Sequence, residues 1–71
     1  MNEINKIWQK ILEIILEKVG ESTFELWFSP IKLLDIKNSE AFIEVPNRFF
    51  KDWIEDNFPS IISDSFYQIT G

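Results

Sequence analysis

Catalysis needs a nucleophile, a base, a metal-ligand set or a phosphate cradle, and this 71-residue chain is poor in all four. It contains neither Cys nor His. That removes thiolates, disulfides and Cys-based metal sites, together with the commonest metal ligand and the commonest general base near neutral pH. Ser22, Ser29, Ser39, Ser60, Ser63 and Ser65 lack a His or Cys partner and a nucleophile-elbow setting. Asp52, Glu55 and Asp56 stand at i, i+3 and i+4 and could approach a hard cation, but a solvated helix face explains them more simply. No phosphate loop is present. The expectation is a non-catalytic chain with no cofactor and no metal.

What the chain has in quantity is aromatic and aliphatic surface: seven Phe, three Trp and one Tyr. Large rings build a core economically when residues are few, and a chain of this length hides only about 60% of its unfolded surface on folding. One domain, residues 1–71, is expected. Seven basic residues against twelve acidic give a net charge of −5. The basic ones (Lys6, Lys10, Lys18, Lys32, Lys37, Arg48, Lys51) are scattered among acids rather than gathered in a patch. Phosphate neutralisation supplies most of a nucleic-acid binder's affinity, so no more than a weak single-stranded DNA contact is expected. Charges interrupt every apolar run within a few residues, so neither a signal peptide nor a membrane span is read, and the cytoplasm is the default location.

The elements that must position these residues follow from period and punctuation. Ile4, Ile7, Trp8, Ile11, Leu12, Ile15, Leu16 and Val19 recur at three- and four-residue steps and predict a helix over 3–19, with Asn2 as cap and Gly20 as stop. Ser22-Thr23-Phe24-Glu25 fits a capping box, with Ser22 starting a short second helix that ends before Pro30. Ile31–Ile36 and Ala41–Val45 read as two strands of a hairpin around Lys37-Asn38-Ser39-Glu40, with Phe42 and Glu44 alternating against Ala41, Ile43 and Val45. Asn47 caps a third helix from Arg48. Pro59 breaks it near Phe58 and sits in the first turn of a further helical stretch carrying Ile61, Ile62, Phe66 and Ile69, which Gly71 stops. The fold class is α+β, in the order helix-helix-strand-strand-helix. A two-stranded hairpin is marginal alone, so a third strand is expected beyond Gly71, in a longer protein.

Two places carry more apolar side chain than a small core needs. At 100° per residue the apolar arc of the first helix, from Ile14 and Ile7 at one edge to Leu16 at the other, covers about 200°, where one small core needs about 100–140°. The surplus is Ile7 and Ile14, bordered by Trp8 and Ile11. They either pack on the hairpin or last helix, or face a partner. In the third helix Phe50 lies with Trp53 and Ile54, while Phe49 points about 100° away. It either caps the edge of the core or stands exposed as a docking aromatic. Trp27 and Trp53 are expected in the core.

Trp8 and Trp27, the segment Phe24-Glu25-Leu26-Trp27-Phe28-Ser29-Pro30 and the run Pro46-Asn47-Arg48-Phe49-Phe50-Lys51-Asp52-Trp53 resemble, in spacing and order along nearly the whole chain, the N-terminal domain (domain I) of the bacterial replication initiator DnaA. The resemblance implies a KH-like arrangement of helices on a small sheet, although the GXXG clamp of KH domains cannot form, since Gly20 and Gly71 are the only glycines. It implies self-association through the first helix, with Ile7 and Trp8 matching the family's contacts and Ile11 and Ile14 beside them. It also implies capture of the replicative helicase (DnaB type) and of initiation regulators, Phe49 matching the family's contact. Some members carry a second helicase contact, an acidic residue at the start of helix two. Here that position is Thr23, a departure, and the flanking Glu21 and Glu25 are the candidates to supply the charge.

Overall fold

The computed structural model describes residues 3–70. The cap expected at Asn2 and the stop expected at Gly71 lie outside them. Helix α1 runs Glu3–Val19, as its period predicts. Gly20 ends it with its N–H on the Leu16 carbonyl (2.9 Å) and a φ of +89°, a region that costs glycine little. The chain enters the next helix directly from that glycine: α2, Glu21–Thr23, passes without a break into a π turn, Phe24–Phe28. Ser22 is therefore not the cap. It lies inside the helix, Gly20 occupies the capping position and no side-chain cap hydrogen bond forms, so the capping box is corrected. The Ser29 N–H reaches back five residues to the Phe24 carbonyl (2.9 Å), and the helix stops before Pro30.

Strands β1, Lys32–Lys37, and β2, Glu40–Glu44, form an antiparallel hairpin, a two-stranded sheet among the described residues. Asn38 and Ser39 both have positive φ (52° and 65°), the mark of a two-residue turn whose twist matches the strands. The register runs Lys32↔Glu44, Leu33↔Ile43, then Asp35↔Phe42, Ile36↔Ala41 and Lys37↔Glu40, with a bulge at Leu34. Because the bulge absorbs Leu34, Leu33 and Ile36 both keep to the inner face and Asp35 turns outward, where it pairs with Lys37 at 3.7 Å.

Helix α3 runs Arg48–Asn57, capped by Asn47, whose side chain accepts from the Phe50 N–H at 3.3 Å. The break falls at Phe58, as Pro59 requires. Helix α4, Ile61–Thr70, begins two residues after that proline rather than around it. The core gathers Ile11 and Ile15 of α1, Phe28 of the π turn, Ile31 before β1, Ile54 of α3 and Ile61 of α4. Ser65 is wholly buried as well. Its hydroxyl donates to the Ile61 carbonyl at 2.7 Å, so a small side chain sits on α4 without an orphaned polar atom. No helix among the described residues is long and apolar enough to cross a membrane.

Candidate functional site

Position 49 is the sharpest feature of the surface. Phe49 is 81% exposed, while its neighbour Phe50 turns inward and meets the Trp27 ring edge-on, centroids 5.1 Å apart. Helical geometry separates the two rings by about 100°, and the packing of Phe50 decides which of them faces water. Trp27 in turn stacks on Trp53 at 4.0 Å with the rings 4° from parallel, and Trp53 lies 5.9 Å from Phe58. This aromatic pile joins the π turn to α3. The Asn47 cap fixes the start of α3, so Phe49 projects from a braced helix terminus beside the exposed Arg48–Asp52 ion pair (3.6 Å). Of the two readings open at Phe49, exposure holds and edge-capping does not. Trp27 and Trp53 pack against the core but are only half-buried.

Thr23 is half-buried at the end of α2, with Glu21 and Glu25 exposed on either side of it. They belong to the helical segment that presents Trp27 to α3, so Phe49 and the residues around Thr23 sit on elements that the aromatic pile holds together. Leu26, 66% exposed next to Trp27, adds apolar surface to the same segment. Its exposure was not foreseen, and the signal lay in Trp27: once that ring turns to α3, its predecessor must point elsewhere.

The stripe on α1 is less uniform than its periodicity suggests. Ile11 is wholly buried and belongs to the monomer's core, which corrects its placement at the border of a partner-facing edge. Ile7 and Trp8 are half-buried and pack on that core, the Trp8 ring stacking over Phe66 of α4 at 6.4 Å. Ile14 is half-buried in a shallow depression with Glu13, Glu17, Lys18 and Gln68. At the opposite edge Leu16 remains 36% exposed. The α4 helix thus absorbs part of the surplus and leaves Ile14 and portions of Ile7 and Trp8 at the surface.

Among the described residues no group of His, Cys, Asp or Glu side chains is placed to hold a metal ion, and the hydroxyls of Ser29, Ser63 and Ser65 all donate to carbonyls of nearby residues. A cleft of about 860 Å³ opens between β2 and α4, lined by apolar side chains such as Ile43, Phe58 and Phe66 together with Glu40, Glu55 and Ser63.

Comparison with known proteins adds the family. The model of the DnaA N-terminal domain matches residues 5–68. The chromosomal replication initiator protein DnaA of Chlorobaculum tepidum is 38% identical over 66 residues, covering 93% of this chain and 13% of that protein. Its namesake in Bacteroides fragilis is 35% identical over 65 residues, covering 92% of this chain and 14% of that protein. The chain therefore spans about an eighth of the length of these relatives. No solved structure matches it.

Proposed function

Since the chain belongs to the DnaA N-terminal domain family, we propose that it is the assembly module of a chromosomal replication initiator, pairing initiator molecules through α1 and capturing the replicative helicase and initiation regulators through Phe49. The observation that carries this reading is an aromatic side chain 81% exposed on a helix whose cap and inner face are both fixed. A large ring held in water by a rigid support has already lost its freedom to bury itself, so a partner pocket gains its apolar area at small ordering cost. Glu21 and Glu25, exposed beside Thr23, supply negative charge to which a positively charged partner surface would be steered. The α1 surface left by Ile7, Trp8 and Ile14 serves the weaker contact between initiators, where small apolar patches at the end of a long chain act through proximity at the origin.

Titration calorimetry of the domain against the replicative helicase of its own organism tests the proposal. Phe49→Ala should weaken binding about tenfold or more, equivalent to about 1.4 kcal/mol, while thermal unfolding stays where it was because the ring buries little. An affinity that survives the substitution unchanged would remove Phe49 from the helicase contact.

A further inference from the structure

The outer face of the hairpin carries apolar surface that the monomer does not use. Leu34 is 60% exposed and Phe42 45%. The bulge sets Leu34 and Asp35 together opposite Phe42, so the two apolar side chains lie next to each other on the face turned away from the core. Beyond them at one end stands Lys32 across from Glu44, and at the other Lys37 across from Glu40, all four exposed. Along this face every lysine belongs to β1 and every glutamate to β2. Asp35 is the one acid that β1 places on this face. Its carboxylate accepts from the Ile36 N–H at 2.8 Å and pairs with Lys37, so it is already satisfied within the strand.

We propose that this face seats a second copy of the chain, related by a two-fold axis that runs parallel to the strands and between them. That rotation lays β1 over the β2 of the other copy while keeping each residue at its level along the strand. Lys32 then meets Glu44 of the second copy, Lys37 meets Glu40, and Leu34 meets Phe42, each contact made twice. The alternative two-fold, across the strands, would set Lys32 against Lys37 and Glu40 against Glu44, like charge on like. With a net charge of −5 on each chain, close approach needs local attraction of this kind, and the register supplies it in one orientation and not the other. Strands of five and six residues give a patch about 17–20 Å long and about 10 Å wide, well short of the roughly 800 Å² per partner of a stable dimer. The contact is therefore weak by itself and takes hold between copies that something else has brought close. It shares no residue with Phe49 or with the α1 stripe.

A dilution series followed by amide chemical shifts reads the contact directly. In the unaltered domain the Leu34, Asp35, Phe42 and Glu44 amides should move together as concentration rises toward the millimolar range. Lys32→Glu alone and Glu44→Lys alone should each abolish that movement, because each sets like charges against one another twice. Mixing the two variants should restore it, since the Glu at position 32 of one chain then faces the Lys at position 44 of the other. Each variant keeps its internal cross-strand mismatch in the mixture, so recovery cannot come from a repaired hairpin. Thermal unfolding of both variants checks that they are folded, and if the reversals unfold the hairpin, Phe42→Ser and Leu34→Ser replace them as the silencing changes. Hairpin amides that stay still up to millimolar concentration overturn the proposal, and so does a mixture of folded reversal variants that behaves like its components.

Discussion

Phe49 and Phe50 are chemically identical neighbours in different surroundings. Phe50 is held by Trp27 and completes an aromatic pile, while Phe49 is left in water. That contrast could be read from the sequence, because Trp53 and Ile54 fix the inward face of α3 and a helix turns 100° per residue. Ile11 could not be read in the same way. The wheel of α1 places Ile7, Ile11 and Ile14 along one margin, and only the position of α4 decides which of them is covered. The structure buries Ile11 completely and leaves Ile14 in a shallow surface depression. Ile11→Ala should accordingly cost about 2–4 kcal/mol of stability, a cavity effect, and Ile14→Ala less than about 1 kcal/mol. Urea denaturation of the two variants checks this, and equal losses would mean that α4 does not cover α1 as described.

At the level of the elements, the reading of the sequence was best where one residue type has one physical role. Asn47 caps α3, Pro30 limits the second helix, Gly20 stops α1, and the polar gap before Ala41 becomes a hairpin turn. It was weakest where the backbone departs by one residue from a regular register. The π turn changes a hydrogen bond from four residues to five, and no pattern of side chains announces that. The Ser22 capping box failed because Gly20, free to take a φ of +89°, starts the helix earlier. The hairpin turn carries a cost of its own, since Ser39 holds a φ of 65° that serine tolerates poorly. Ser39→Gly, which creates the Asn-Gly pair such turns favour, should raise stability by about 0.5–1 kcal/mol and the melting temperature by a few degrees. A lower melting temperature would show that the Ser39 side chain contributes something the backbone strain does not reveal.

For the molecule as a whole, small size makes surface the main resource. A domain that hides so modest a share of its chain cannot bury every large side chain it carries, and it distributes the remainder over several places, among them the α1 edge, Phe49, Leu26, Tyr67 and the outer hairpin face. Two of these, the α1 edge and the hairpin, are proposed to meet copies of the same chain, and two independent two-fold contacts on one body carry assembly beyond a pair. Sedimentation separates them. With the hairpin silenced by Lys32→Glu, the average mass should still rise above 8.5 kDa as concentration increases, and adding Ile14→Lys should flatten that rise. A strict monomer in the Lys32→Glu background at millimolar concentration would remove α1 as a pairing surface.

The bulge at Leu34 gives the last consequence. If that single residue were excised, Leu33, Asp35, Ile36 and Lys37 would still point in, out, in and out in perfect step, and the strand would fit its neighbour more regularly than it does now. The extra leucine therefore trades regular pairing for a bend in the strand and for apolar surface on the outer face, which the proposed second copy would cover.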